Sequence, residues 1–316
     1  MFTFVTITYN HEKYIIEHLE SIRYQIESFS EGKKMNLIIS DDGSVDNTML
    51  FAQQWVERNK YLFSEVELLT SEKNQGIIKN YLRATAAIKT PAYKLLAGDD
   101  LYYKNNIFEI VEALKDKEII FTPALNFNED TVWNSQDMNR LLILKKPEQI
   151  RKVLKFQNPF NTPGSFYSTA LIQEEGLRAF ISKYTWIEDL PSYYYLFNKR
   201  ATLNYAIELK PYILYRSTVG ISNNKKNEKN NVFTIELDAM EKDLGMVLNK
   251  YPKYFNPYQY YWRLSKLKLK YRDAKTNRDI GTYNTILNEE AQKAREFLVM
   301  LRIKSKEFFK SLTYDV

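Results

Sequence analysis

The chain of 316 residues is 44% hydrophobic and 27% charged, which reads as globular rather than disordered. It contains no cysteine, and this excludes a disulfide framework, a thiolate metal site and a cysteine nucleophile. The net charge of +6 sits in the tail: residues 251–316 carry 14 Lys and Arg against 7 Asp and Glu, while the first 250 residues are nearly balanced.

The opening segment MFTFVTITYN has no basic head and no long apolar run, so it is not read as a signal peptide. Phe2 to Thr8 is instead a β-branched and aromatic run, expected to form a buried strand. Ile15, Leu19, Ile22 and Ile26 follow at helical spacing. Asn36 to Ser40 reads as a second strand ending at Asp41-Asp42-Gly43-Ser44, and Met49, Ala52 and Val56 mark the next helix face. Glu65 to Thr70 is a third strand, and Ile78, Leu82 and Thr85 lie on a third helix. Tyr93 to Ala97 is a fourth strand, ending at Gly98-Asp99-Asp100. Ile107, Ile110, Val111 and Leu114 line a helix, and Glu118 to Thr122 is a fifth strand.

Further on the alternation weakens. Pro159 to Gly164 reads as a loop, Ala201 to Arg216 as strand material broken at Pro211, and Ile221 to Asn231 as a polar linking segment. Phe233, Leu237, Met240, Leu244 and Val247 share a helical face, and two further helices are expected at 257–274 and 283–310. No stretch reaches the roughly 18 consecutive apolar residues of a membrane-spanning helix. The expected location is the cytoplasm, with the inner face of the cell membrane included.

Strands alternating with helices imply βαβ units and a mostly parallel sheet, an α/β class. Ligands of such sheets lie beyond the carboxyl ends of the strands. Thr8-Tyr9-Asn10, Asp41-Asp42 and Asp99-Asp100 all fall at such ends.

Each polar cluster has a chemical and a plain reading. Asp99-Asp100 offers oxygen donors of the kind that hold Mg²⁺ or Mn²⁺ against a diphosphate, or it is a solvated turn. Asp41-Asp42-Gly43-Ser44 places a carboxylate for a uracil imide or ribose hydroxyls, or it is a turn capping the next helix. Glu188-Asp189, beside Tyr184-Thr185-Trp186-Ile187, is a carboxylate pair suited to general base work or the start of a helix at Asp-Leu-Pro. Arg216 is a forked ligand for diphosphate oxygens or a surface arginine beside a loop. His11 and His18 are the only histidines, and no Ser-His-Asp or Cys-His set assembles around them. Neither G-x-G-x-x-G nor G-x-x-x-x-G-K-[ST] occurs, which argues against a dinucleotide oxidoreductase and a P-loop kinase.

Taken in order, Val5-Thr6-Ile7-Thr8-Tyr9-Asn10, Asp41-Asp42-Gly43-Ser44-Val45-Asp46-Asn47-Thr48, Asn74-Gln75-Gly76, Gly98-Asp99-Asp100 and Glu188-Asp189 resemble the family 2 glycosyltransferases of GT-A fold, over residues 1–220. The resemblance implies a Rossmann-like GT-A domain and inverting transfer of a single hexose or N-acetylhexosamine from a UDP-sugar, with Mn²⁺ or Mg²⁺. It implies that Thr8, Tyr9 and Asn10 line the nucleoside pocket, with Asp41 or Asp42 near the uracil and Lys79 near the base or phosphates. Asp99 would meet the ribose and the metal, Asp100 the metal, and Asp189 would be the general base with Glu188 beside it. The stretch from Tyr215-Arg216 to Ser222 would close on the diphosphate, and the Pro159–Tyr167 loop would border the acceptor. Two departures stand out. Ala97 occupies the first acidic position of the family's usual D-x-D, and the Q-x-x-R-W motif and membrane helices of processive members are missing. A sugar nucleotidyltransferase and an inactive partner subunit are the alternative readings; against the first, Phe2 to Asn10 contains no glycine.

The expected organisation is a GT-A domain at 1–220, a flexible linking segment at 221–231 and a basic, aromatic helical region at 232–316. That last region either packs as an ordinary subdomain or rests its basic face on an anionic membrane. A glycan, such as a bacterial cell-surface glycan, a glycoprotein and a lipid-linked oligosaccharide all fit as acceptors. Nucleic acid does not, because no recognised binding module occurs.

Overall fold

The strand expected at the N-terminus lies at the heart of the fold. In the computed structural model, which describes residues 1–134, 146–155, 158–160, 162–219, 232–246 and 274–312, β1 (Phe2–Thr8) pairs in parallel with β2 (Met35–Asp41) and β4 (Ala92–Ala97). Nearly all of β1 is buried, as a central parallel strand covered on both faces requires. β3 (Phe63–Thr70) extends the sheet beyond β2. The helices α1 (Ile15–Phe29), α2 (Thr48–Asn59) and α3 (Ile77–Ala86) provide the crossovers. Ile15, Leu19, Ile22 and Ile26 of α1 are all buried, each worth roughly 1.5–3 kcal/mol. Ala52, Val56, Ile78 and Thr85 are buried as read, while Met49 and Leu82 are half-buried.

The whole sheet has the order β10-β6-β9-β4-β1-β2-β3. β6 (Ile119–Phe121) is the fifth expected strand. β9 (Ser165–Ser168) enters antiparallel between β4 and β6, and β10 (Tyr205–Ile207) pairs in parallel with β6. The sequence reading ran the 159–167 loop into β9, because four residues are too short to show a period beside Pro163-Gly164. A second sheet, ordered β5-β11-β7-β8, was not foreseen. Its strands β5 (Leu101–Tyr102), β7 (Ala124–Phe127), β8 (Val132–Asn134) and β11 (Ile213–Arg216) are equally short. The break at Pro211 separates β10 from β11, as expected.

The remaining helices are α4 (Phe108–Ala113), α5 (Pro147–Leu154), α6 (Thr169–Ile172), α7 (Glu175–Ile181), α8 (Asp189–Asn198), α9 (Val232–Asp243) and α10 (Ala274–Leu312). In and just beyond α9, Met240 and Leu244 are buried. Val247, the linking segment at 221–231 and the helix expected at 257–274, up to residue 273, lie outside the described residues. α10 answers the expectation at 283–310. Its Leu287, Ala291, Ala294, Leu298 and Leu301 join the core that covers the sheet. Its Phe297 meets Tyr24 of α1 at 4.8 Å between ring centroids, and Phe309 meets Phe51 of α2 at 5.0 Å. Among the described residues no helix is long and apolar enough to cross a membrane.

Candidate active site

Three strand ends lie level. Thr8 is opposite Asp41, and Ile7 is opposite Ala97, so residues 8–11, 41–44 and 97–100 emerge along one edge of the sheet. The edge is tied by Asp42 N–H to the Thr8 carbonyl and Gly98 N–H to the Ile7 carbonyl, both at 2.9 Å. Asn10 has φ of 54°, a left-handed conformation that Asn tolerates better than most side chains. Its N–H donates to Ser44 Oγ at 2.8 Å and its Oδ1 accepts from Val45 N–H at 3.0 Å, fastening the two loops together.

Two adjoining cavities open over this edge. The first, of about 300 Å³, is lined by Thr8, Tyr9, Asn10, His11, Asp42 and Asn74 among others. The second, of about 360 Å³, is lined by Asp100, Phe160, Thr162, Glu188, Asp189 and Tyr215 among others. Ile77, Asp99, Trp186 and Val219 form walls of both. A larger cavity of about 490 Å³ under Phe2, Phe29 and Phe108 holds none of these polar groups.

The two aspartates after β2 have different tasks. Asp41 lines neither cavity; its Oδ2 accepts the N–H groups of Gly43 and Ser44 at 3.1 and 2.8 Å and shapes the turn. Of the two aspartates that the sequence offered for a uracil, Asp42 is the one on a cavity wall. Asp42 accepts from Ser71 Oγ at 3.1 Å and from the N–H groups of Gln75 and Gly76 at 3.1 and 2.9 Å, so the Asn74-Gln75-Gly76 block orients it.

Asp99 faces both cavities, with Oδ1 3.9 Å from His11 Nε2. Asp100 is held more tightly. Its Oδ1 accepts Arg216 N–H at 2.8 Å, and its carbonyl is 2.7 Å from Nδ1 of the buried His18. Burial and the neighbouring Asp99 push the Asp100 carboxyl well above the usual carboxylate range. His18 is pushed down to about 4 by burial, so it is neutral at physiological pH: Nδ1–H donates to Asp100 and Nε2 accepts from Thr6 Oγ1 at 2.8 Å. Among the described residues no three His, Cys, Asp or Glu side chains gather as a metal cluster. A hard cation completed by diphosphate oxygens fits Asp99 and Asp100, because such ions are commonly held by one or two carboxylates plus phosphate.

Arg216 lines neither cavity. Its side chain is 1% exposed, its Nε donates to the Asp99 carbonyl at 2.9 Å, and its terminal nitrogens meet Glu17 at 2.8 Å and Glu129 at 3.2 Å. The guanidinium also lies over the rings of Tyr14 and Phe127, at 4.3 and 4.4 Å. Three of its five guanidinium N–H donors are thus engaged within the protein, and the side chain does not line either cavity, where the sequence suggested a diphosphate ligand. Lys79 is exposed on α3 and lines neither cavity. Ser222 lies outside the described residues.

Glu188 and Asp189 start α8, as the Asp-Leu-Pro pattern suggested, and Pro191 falls in the first turn where no N–H is needed. Both also line the second cavity. Burial and then Asp189 push the Glu188 carboxyl up to about 8. Burial raises Asp189 as well, but donors oppose it: Leu190 N–H at 2.6 Å on Oδ1, and Asn158 Nδ2 at 2.7 Å and Thr162 Oγ1 at 3.3 Å on Oδ2. Sequence reasoning missed Asn158 and gave Trp186 no role. The signals available were the Asn-Pro-Phe-Asn-Thr-Pro loop and a tryptophan two residues before the acidic pair. Glu236 of α9 accepts the Trp186 N–H at 2.6 Å and so holds that wall in place.

A family model described as Glycosyl transferase family 2 matches residues 3–179. The uncharacterized glycosyltransferase MG025 homolog of Mycoplasma pneumoniae is 33% identical over 114 residues. That match covers 36% of this chain and 36% of the relative, so it spans only about a third of either. Among solved structures, S. aureus TarS 1-349 in complex with UDP has a TM-score of 0.50 at 19% identity, covering 76% of this chain and 72% of that one. The mannosyltransferase PcManGT from Pyrobaculum calidifontis, in complex with GDP-Man and Mn²⁺, has a TM-score of 0.52 at 13% identity, covering 96% and 86%. At these identities the likeness to the two structures is one of fold.

Proposed function

The chain belongs to glycosyl transferase family 2 and is a glycosyltransferase, and from that premise we propose that it moves one hexose or N-acetylhexosamine from a UDP-sugar to an acceptor hydroxyl with inversion. The observation that carries this reading is the pair of cavities sharing Asp99 and Trp186, one lined by Thr8, Tyr9, Asn10 and Asp42, the other by Glu188 and Asp189. The nucleoside takes the first cavity, the sugar lies at the common wall, and the acceptor enters the second. The fold neighbours with UDP and with GDP-Man and Mn²⁺ support a nucleotide-diphosphate donor and a divalent ion.

Asp189 accepts the proton of the acceptor hydroxyl as that oxygen bonds to C1 of the sugar, and the C1–O bond to the diphosphate breaks on the opposite face. General base catalysis of this kind contributes about 10²–10⁴-fold. Glu188, its carboxyl pushed up to about 8 by burial and by Asp189, favours the protonated form at neutral pH and so does not add a second full negative charge beside the base. Mn²⁺ or Mg²⁺ at Asp99 and Asp100 would supply Lewis-acid stabilisation of the departing diphosphate. The acceptor is a glycan, a glycoprotein or a lipid-linked saccharide; the last would bring the basic C-terminal region to a membrane, which liposome flotation tests.

The decisive experiment is a panel of UDP-galactose, UDP-glucose and UDP-N-acetylglucosamine assayed for nucleotide release with and without Mn²⁺. Release of UDP is the expected result. A nucleotidyltransferase would release no UDP and would instead convert these donors to UTP and sugar 1-phosphate when pyrophosphate is supplied, and no turnover in either assay would leave the protein an inactive family member. Asp189→Asn is expected to abolish transfer while UDP affinity stays near that of the parent protein; near-normal turnover would remove Asp189 as the base.

A further inference from the structure

Building on the assignment of Asp189 as the base, we propose that Asn158 and Thr162 select which of its oxygens reacts: they saturate Oδ2 and leave Oδ1 to take the acceptor's proton. A carboxylate oxygen has two lone-pair sites. At Oδ2 both are used, by Asn158 Nδ2 at 2.7 Å and Thr162 Oγ1 at 3.3 Å. Oδ1 accepts the Leu190 N–H at 2.6 Å, and the residue's own N–H also bonds to the carboxylate, but no side-chain donor among the described residues occupies Oδ1.

The two donors are themselves fixed. Asn158 Oδ1 accepts Phe160 N–H at 3.0 Å, so turning the amide over would lose both of its hydrogen bonds. Tyr193 OH donates to Thr162 Oγ1 at 3.4 Å, which commits the Thr162 proton to Asp189. Tyr193 OH in turn lies 2.9 Å from Ser165 Oγ and 3.1 Å from Tyr167 OH. The buried Ser165, Tyr167 and Tyr193 hydroxyls and the half-buried Thr162 at the cavity wall form one chain ending on the carboxylate, and such chains polarise along their length. Asn158 lines neither cavity, so it acts on the reaction only through Asp189. It is a positioning residue.

The same donors determine where the base titrates. The ionisable groups around Asp189 are Glu188 beside it, Tyr193 one turn along α8, and, on the walls of the same cavity, Asp99, Asp100 and Tyr215. Burial raises the Asp189 carboxyl, and the hydrogen bonds from Asn158 and Thr162 lower it. Without them the carboxyl would hold its proton to a higher pH, and the catalytic form would appear later as pH rises.

The test is the pH–rate profile of UDP release from whichever UDP-sugar the parent protein turns over, with UDP affinity measured alongside by calorimetry. Asn158→Ala is expected to move the acid limb upward by about one unit, a roughly tenfold loss below the limb, with recovery at high pH and unchanged UDP affinity. Thr162→Val should move the limb the same way by less, and Thr162→Ser should restore it. A loss in Asn158→Ala that is uniform across pH, or an unmoved acid limb, would overturn the proposal. Asp189→Asn in the same series separates the two levels. If that variant turns over, the base assignment itself has failed; if it is dead while Asn158→Ala keeps the parent profile, only the positioning role has failed.

Discussion

The backbone N–H of Arg216 meets Oδ1 of Asp100 at 2.8 Å, and its Nε meets the Asp99 carbonyl at 2.9 Å. One residue thus joins the end of β11 to the turn after β4, and so the small sheet to the large one. Its charge is balanced mainly by Glu17, which also faces Arg302 of α10 at 3.5 Å. Removing one partner of a buried ion pair costs about 3–5 kcal/mol, and the help from Arg302 places this case near the lower end. Arg216→Met is expected to lower the urea midpoint by an amount worth about 3 kcal/mol. Arg216→Lys should lose less, since lysine keeps the charge but not the fork or the stacking on Tyr14. Unchanged stability together with a sharp loss of UDP affinity would return Arg216 to the diphosphate.

Gly76 is a second structural anchor of the donor side. It has φ of 96°, and a Cβ there would lie 2.8 Å from the Thr185 carbonyl oxygen. Its N–H donates to Asp42, and the next turn of chain returns Ile78 N–H to that same Thr185 carbonyl at 3.0 Å. Gly76→Ala is expected to cost about 2 kcal/mol or more, from strain at positive φ and from the clash. Thermal melting checks the stability. A UDP titration should show weaker binding, because Asp42 loses the loop that orients it.

Lys94 is fully buried in β4, with Nζ donating to the Ser165 carbonyl at 2.9 Å and lying 5.2 Å from the Phe166 ring. Burial pulls its ammonium down to about 7 from 10.5. Between those pH values the unfolded chain binds more protons than the folded one, so Lys94 makes stability rise with pH across that window. Lys94→Met removes the buried charge and is expected to be neutral or stabilising by about 1–4 kcal/mol near pH 6. Its advantage over the parent protein should shrink steadily toward pH 10, read from urea midpoints along the pH series. A constant difference at all pH values would mean that Lys94 does not titrate in that window.

The sheet edge was legible because β1, β2 and β4 are long enough to show their apolar runs, and their polar ends could be read from spacing alone. The second sheet was not, since β5, β7, β8 and β11 have two to four residues each and no period. That gap explains why the burial of Arg216 was not readable. A strand-end arginine beside a polar segment looks free until Glu17, nearly 200 residues earlier, is brought against it by the fold. Asp41 and Asp42 differ for a similar reason: the sequence shows two equal carboxylates, and only the turn decides which one faces the cavity. The role of Asn158 needed a contact across 31 residues that no local pattern announces.

The same logic separates Asp99 from Asp100. Asp99 belongs to both cavity walls, whereas Asp100 has one oxygen occupied by Arg216 N–H and a carboxyl pushed up by burial. Binding a cation through Asp100 would require a structural hydrogen bond to be shared. Asp99 has no such hydrogen bond to share and lies on both cavity walls, so it should carry most of the metal dependence. UDP affinity measured with and without Mn²⁺ distinguishes the two. Asp99→Asn should lose the gain that Mn²⁺ gives, with stability within about 0.5 kcal/mol of the parent protein. Asp100→Asn keeps an oxygen for Arg216 and should retain most of that gain. Asp100→Ala leaves the buried N–H of Arg216 without a partner, and its cost of about 1–3 kcal/mol should appear in the urea midpoint. If Asp100→Asn loses the Mn²⁺ gain and Asp99→Asn keeps it, the ion belongs to Asp100, and the cavity shared by both walls is not where the diphosphate meets the metal.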